Sequence, residues 1–393
     1  MKDYKIKNNE LQVMITLCFI LGVRVLGMFL IFPILSTYGI YLEHSNQFLI
    51  GCTIGVYGLA QACFQIPLGV LSDKIGRKPV IFLGLILFLL GSLISISTGS
   101  IWSLIAGRIL QGCGAISSTC MALLSDVISD KNRIQSMLLI GFTYGIAFSL
   151  SIVVSPIIVY LFGFHILLTI VIYLSIISII IAYFGILNCN ISTNSYNFYK
   201  FKNNFFMIVK DLDLWKFNIS IFFLHILLTL NLIVFPVQLN TFHYSIEYHW
   251  KIYLITIFFS FFIVYLLLFF VRLIKKINIM LFISSIILFL TAIIFLNFLQ
   301  NVNVFLLGIQ LFFIGFNMLE ALLPSLISKK SCIRYKGTIM GIYSSSQFLG
   351  TAIGGIIGGW IFNIFDILGV FLFGGIISIL LLIVTFSMKN IDC

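Results

Sequence analysis

Two arginines, a histidine and a glutamate stand inside long apolar stretches: Arg24, Arg108, His225 and Glu320. A charge at mid-bilayer costs about 2.5 kcal/mol or more unless it is paired or hydrated. Such groups therefore belong on interior faces, away from lipid. The chemistry open to them is the handling of protons and anions. Glu320 is the one acid within any predicted helix core, and a carboxyl group withdrawn from water favours its neutral form, which suits a proton carrier. Arg24 can bind an anionic substrate group or pair with Glu320. Arg108 belongs to Arg108-x-x-Gln111-Gly112-x-Gly114-Ala115. There Arg108, Gln111, Ala115 and Ser118 share a helical face, expected to look into a central cavity. Asn317, with Gln310 and Pro324, extends a polar stripe beside Glu320. Gln61 and Gln65 line one predicted helix with Tyr57, His225 another with Asn218 and Thr229, and Gln347 a third with Tyr343. Each has a plainer reading. The polar residues can be satisfied helix–helix contacts, Arg108 can serve a structural network, and Glu320, about two turns from Lys329, can meet water.

A second constellation is Gly69-Val70-Leu71-Ser72-Asp73-Lys74-Ile75-Gly76-Arg77-Lys78. Its charges cannot lie in hydrocarbon, so it is a short loop between two membrane helices. Gly69 allows close helix packing. Asp73 is suited to accept from a helix N-terminus. Gly76 permits a tight turn, and Arg77 and Lys78 anchor the loop on the positive side. Asp126, in Ser125-Asp126-x-x-Ser129-Asp130, is a further acid in a predicted loop; a lone surface acid is its plainer reading.

The elements that must position these groups are membrane helices. The 393 residues are 61% hydrophobic and only 9% charged, with a mean hydropathy of +1.17; soluble domains carry about 25% charged residues. The net charge of +11 is spread in short clusters, which argues against nucleic acid and for basic loops. Eight cysteines form no C-x-x-C pair, and neither a disulfide framework nor a zinc site is expected. Glycine-rich runs lack a G-K-[ST] ending, so no nucleotide site is expected, and no cofactor. No cleavable signal is evident, because residues 11–37 read as the first membrane helix.

Apolar runs place twelve helices at 11–37, 46–71, 79–98, 101–124, 134–158, 164–187, 215–239, 250–271, 279–299, 303–327, 338–362 and 367–388. Each is long enough for a core about 30 Å thick. The polar segment 188–214 divides them into an N-terminal six-helix bundle, 1–187, and a C-terminal one, 215–393. Of the 23 lysines and arginines, all but Arg24, Arg108 and Lys251 fall in the N-terminal stretch, the even-numbered loops or the C-terminus. Both termini are therefore expected in the cytoplasm.

The Gly69–Lys78 loop resembles the G-x-L-x-D-x-x-G-R-K loop of the major facilitator superfamily, and the Arg108 motif resembles that superfamily's fourth-helix motif. The resemblance implies an all-α membrane protein with twelve transmembrane helices in two bundles, and no enzymatic activity. It implies that Gly69, Asp73, Gly76, Arg77, Lys78 and Asp126 form a latch between outward- and inward-facing states, with Arg77 pairing Asp126. It associates Arg108 with proton coupling. Helix 5 is similar to the drug/proton antiporter type but has Ser155 where a glycine precedes the proline, which weakens the case for antiport. Arg24 through Pro33, Ile54 through Pro67, Asn317 through Ser328 and Tyr335 through Gly350 look like the YajR-type transporters of Gram-negative inner membranes. Some members carry a further C-terminal domain, expected to be absent here because the chain stops at Cys393.

The reading is a proton-coupled secondary transporter in the inner membrane, working as a monomer and exporting small amphiphilic molecules. The alternatives are uptake of a nutrient or metabolite by proton symport, and a non-transporting sensor or scaffold. The partners are protons, a small molecule and lipid, without nucleic acid.

Overall fold

A computed structural model describes residues 8–96, 99–128, 130–186, 211–274, 277–297, 300–330 and 336–388. The 188–214 segment falls outside the described residues as far as 210, as do the chain ends and several of the basic clusters. The described chain is helical: α1 (Asn8–Phe29), α2 (Phe32–Tyr38), α3 (Gln47–Ile75), α4 (Arg77–Ile96), α5 (Ile101–Cys113), α6 (Ser117–Val127), α7 (Asp130–Phe162), α8 (Phe164–Ile186), α9 (Leu212–Thr241), α10 (Ile246–Ile274), α11 (Ile277–Asn297), α12 (Val302–Lys330) and α13 (Lys336–Phe386). Apolar composition drives these segments into the bilayer, where only intrasegment hydrogen bonds satisfy the backbone. Side-chain caps start several of them, Asn301 before α12 included, which accepts from Val304 N at 3.4 Å. Asn46 accepts from Leu49 N, Ser100 from Trp102 N, and Asp211 from Asp213 N and Leu214 N.

Among the described residues, ten helices are long and apolar enough to cross a membrane. The difference from the twelve expected crossings lies in two places. Asp366, with φ 53°, bends α13 into two crossings that run as one element. The expected helix at 101–124 is instead two shorter pieces, α5 and α6, separated at Gly114–Ile116. The expected helix at 11–37 is also interrupted. Pro33 has no N–H to donate, and the chain breaks just ahead of it, between α1 and α2.

Helix α1 packs on α7 and α8, α4 on α5 and α8, and α3 on α5. After the 187–210 segment, α9 packs on α13, α11 on α12 and α13, and α10 on α12. Helix α3 meets α13, α7 meets α10, α2 meets α9 and, more lightly, α6 meets α13, and these contacts join the two sets. Lys216 donates to Ser387 O at 3.1 Å, and Lys330 pairs with Asp213, so the start of α9 and the ends of α12 and α13 lie together. This is called the terminal end below, and the opposite one the far end.

The α3–α13 contact is a wedge. At the far end the backbones touch: a Cβ on Gly51 would come 2.5 Å from Gly359 Cα, one on Gly55 2.6 Å from the Ala352 carbonyl, and one on Gly58 2.7 Å from the Phe348 carbonyl. Gly341 lies seven residues before Phe348, on the same stripe, and has nothing within 4 Å. Gly141 on α7, two helical turns before the buried Phe148 and on its face, is equally open. The two sets of helices therefore close at the far end and part toward the terminal end. Gly55→Leu is expected to lower thermal stability in detergent, with an overpacking cost of about 1–3 kcal/mol, while Gly341→Leu leaves the melting temperature unchanged. Equal melting shifts for the two variants would contradict a wedge.

Candidate functional site

The interior charged groups Arg24, Arg108 and Glu320, with His225, fall into two clusters. In the first, two arginines hold two broken helices. Arg108 is fully enclosed and Arg24 is 4% exposed. Arg24, on α1, donates to the carbonyl of Gly114, inside the α5–α6 break, and at 3.0 Å to Gln61 Oε1 on α3. Arg108, on α5, donates at 3.3 Å to each of the Gly27 and Met28 carbonyls, at the last turn of α1 before its own break. Each guanidinium thus caps carbonyls freed where the other's helix is interrupted. A helix end buried without such donors would be costly. Rings cover the rest: Arg108 lies 4.4 Å over Tyr57 and 5.6 Å over Phe32, and Arg24 lies 5.2 Å over Phe88.

Gln111 accepts from Arg108 at 3.0 Å and donates to Ser92 Oγ at 2.9 Å, tying α5 to α4. The expected common face of Arg108, Gln111, Ala115 and Ser118 is not kept. The Gly114–Ile116 break resets the register, and Ser118 turns to the Gln65 carbonyl at 3.0 Å. Gln65 is 1% exposed, and its Oε1 has no partner. Arg108 is enclosed by protein. Its charge needs acceptors, and the broken α1 supplies them. Nor does Arg24 pair with Glu320, since its donors go to Gly114 and Gln61.

The second cluster sits on α9, α12 and α13. Glu320 Oε2 lies 3.3 Å from His225 Nε2, and Gln347 Nε2 lies 3.3 Å from Glu320 Oε1 and 2.9 Å from His225 Nε2. Thr351 Oγ1 is 3.5 Å from His225 Nδ1. His225 is buried, whereas the Glu320 side chain is 34% exposed. The acid is thus held by protein on one side and reachable on the other. Pro324 stands four residues on and offers no N–H to the Glu320 carbonyl, which loosens α12 at this turn. A neutral His225 that accepts at Nε2 carries its proton on Nδ1, toward Thr351; a protonated His225 donates from Nε2 to Glu320. A proton on Nε2 and the Gln347 N–H cannot both occupy that position, so the two states of His225 call for different partners there. Asn317, one turn before, points elsewhere and donates to Ser260 on α10.

The charged loop lies at the terminal end. Gly76 has φ 100°, a region that side chains rarely adopt. It turns the chain so that Arg77 reaches Asp73, Ser72 Oγ at 2.7 Å and Asp126 Oδ2 at 3.1 Å. Asp73 meets the Arg77 side chain rather than a helix N-terminus. A Cβ on Gly69 would come 3.2 Å from Ser118 Oγ, which brings α3 against α6. Asp126 is 38% exposed, so its pair with Arg77 is worth less than about 1 kcal/mol.

Sequence reasoning missed the carbonyl partners of the arginines, Ser92, Ser260 and Thr351. Pro33 and Gly112-x-Gly114 were the available signals for the helix breaks; nothing in the sequence pointed to the serines.

A family model described as the Major Facilitator Superfamily matches residues 17–346. The chain belongs to that superfamily. It is a multi-pass membrane transporter of the secondary type, not an enzyme. Within the superfamily it is related to YajR-type bacterial inner-membrane transporters. It is 41% identical over 391 residues to the inner membrane transport protein YajR of Escherichia coli (strain K12), covering 99% of this chain and 86% of that one. It is 43% identical over 387 residues to an uncharacterized transporter of Buchnera aphidicola subsp. Baizongia pistaciae, covering 96% of each. Among solved structures, a D-xylose–proton symporter superposes with a TM-score of 0.74 at 13% identity, over 97% of this chain and 98% of that one, a likeness of fold.

In this superfamily member the arginine clasp predicts a specific loss. Arg108→Leu leaves the Gly27 and Met28 carbonyls buried without donors, at about 1–3 kcal/mol each. Thermal unfolding in detergent should show a lower melting temperature than for Asp126→Asn, which breaks only a surface pair. The reverse order would sink the clasp.

Proposed function

We propose that this chain is a proton-coupled transporter in which Glu320, with His225 and Gln347, carries the proton. What supports this is the geometry of that cluster: a half-reachable carboxylate, a buried ring nitrogen at 3.3 Å, and an amide touching both. The two six-helix units, 1–187 and 215–393, rock about the central region, with the 188–214 segment as linker and both termini in the cytoplasm. In this reading the terminal end is cytoplasmic, and the wedge between α3 and α13 is the inward-open arrangement. Gly69, Asp73, Gly76, Arg77, Lys78 and Asp126 act as the latch on that side. Arg24 and Arg108, with Gln61, Gln65 and Gln111, keep the first unit rigid while it moves. A single chain suffices.

We favour uptake by proton symport over export. In antiport through a shared acid, the substrate must displace the proton from the carboxylate. Here two protein side chains already engage Glu320, so proton and substrate can be aboard together. Two arginine cations buried in the first unit are held by carbonyls, amides and rings, which disfavours lipophilic cations as cargo. Export of small amphiphiles stands as the second reading, supported by the Gly141-x-x-x-Gly145 to Ser155-Pro156 pattern of α7.

Proton flux in oriented proteoliposomes carrying a pH dye tests both. Metabolites, sugars and lipophilic cations are added in turn, with Glu320→Gln in parallel. Substrate-triggered proton movement, lost at least about tenfold in the variant, is the expected result. Proton movement with the substrate identifies symport, and movement against it identifies export. Full movement in Glu320→Gln removes the carrier role.

A further inference from the structure

The proton cluster and the arginine clasp belong to different sets of helices, yet aromatic rings join them without a gap. Phe316 lies one turn before Glu320 on α12. Its ring centroid is 5.9 Å from the His225 ring and 5.9 Å from Phe148 on α7. Phe148 is 4.8 Å edge-on from Phe29, and Phe29 is 5.1 Å from Phe32, the ring under Arg108. Among the described ring contacts, Phe148–Phe316 is the one that passes from the helices before the 187–210 segment to those after it. Both rings are buried, at 8% and 3% exposure, and Gly141 on the same face of α7 is open, so the pair forms the floor of the wedge.

We infer that the Phe148–Phe316 contact is the positioning element that passes the proton state of the Glu320–His225 cluster to the first set of helices. The inference rests on the proposed proton site. The far-end contacts between the sets involve glycine backbones on α3, and a proton cannot alter these. At the floor a ring packs on each side of the gap, and one of them packs against the His225 imidazole. When Nε2 gains a proton it gives up the Gln347 N–H at 2.9 Å and closes on Glu320 Oε2 from 3.3 Å, which shifts the ring against Phe316. Phe316 cannot follow without changing its packing on Phe148, because close-packed rings at 5–6 Å leave no slack. The titratable groups facing Glu320 are His225 from α9 and Tyr343 from α13, which lies within electrostatic reach. Helix α10 presents Ser260 to Asn317, α11 presents Ser284 and Leu288 to Gly315, and α7 presents Phe148. None of these three helices sets a charged group against the cluster through those contacts.

The test reads conformation directly. Spin labels are placed at Gly141 and Gly341, which face the wedge from opposite sides, in full-length protein with its native cysteines replaced. Inter-label distances are measured at mildly acid and mildly alkaline pH, and the carboxyl infrared band of Glu320 is followed in the same samples. The labelled parent should change distance with pH, and Glu320→Gln should not. Phe148→Leu and Phe316→Leu should each cut the pH-driven change by about threefold or more, while the carboxyl band still titrates. The double variant should lose no more than either single one, and Phe316→Tyr, which keeps the ring, should respond like the parent. A full pH response in Glu320→Gln overturns the proton site itself. Loss of response in Glu320→Gln with parental response in both leucine variants overturns the aromatic link and leaves the proton site standing. Additive losses in the double variant also overturn the link. Should a leucine variant fail to fold, Phe316→Tyr against Phe316→Met decides the same point, since loss of response in both, or in neither, rules the ring out.

Discussion

Everything in the first set of helices depends on two buried cations finding enough oxygen. A guanidinium inside a bilayer-spanning bundle is costly unless most of its donors are met; of Arg108, Nε alone lacks an acceptor. Here no carboxylate meets them. Arg24 and Arg108 are supplied by the backbone, at points where Gly114–Ile116 and Pro33 interrupt their neighbours' helices. The arrangement is reciprocal. The cations need freed carbonyls, and the freed carbonyls need donors, so neither break nor arginine is stable alone. Tyr57, Phe32 and Phe88 close the remaining faces with their rings. This accounts for two charges and two helix breaks in one stroke, and it fixes α1, α3, α4, α5 and α6 relative to one another.

A rigid first unit matters because the contact between the two sets of helices is shaped for movement. At the far end, α3 and α13 approach backbone to backbone through Gly51, Gly55, Gly58, Gly355 and Gly359, with Ile356 and Thr351 packed beside Gly55 and Gly58. Smooth backbone surfaces of this kind separate without unlocking interdigitated side chains. At the terminal end the same stripe is open. Between the two lies the Phe148–Phe316 floor, and beside it the Glu320 cluster on α9, α12 and α13. The acid stands where Pro324 weakens its own helix, so local charge and local backbone give occur in the same turn.

The loop at Gly69–Lys78 contributes on a smaller scale. Gly76 at φ 100° aims Arg77 back at Asp73 and across at Asp126. Pairs this exposed are weak in isolation. Two conformations that differ by a few kcal/mol respond to contributions of that size, which is the scale the proposed latch role requires.

The sequence by itself determined the medium, the helical class and the superfamily. Apolar runs of about 20 residues admit one solution in a bilayer, and the spaced charges of 69–78 survive as a pattern because a loop is a local object. The family resemblance, not locality, paired Arg77 with Asp126, 49 residues away, while a lone acid inside an apolar run marked Glu320 as exceptional. The tertiary structure alone decided partners. Whether Arg24 met Glu320 or a carbonyl depended on where α5 broke, and the Gly114–Ile116 break also undid the face assumed for Arg108 and Ser118. His225, Glu320 and Gln347 come from three helices separated by up to 122 residues in sequence, and Phe148 meets Phe316 across the two sets of helices. Periodicity says which face of a helix is polar. Only packing says which other face it meets, because hydrogen-bond and ring contacts depend on rotation and height in the bundle, neither of which is written along a single helix.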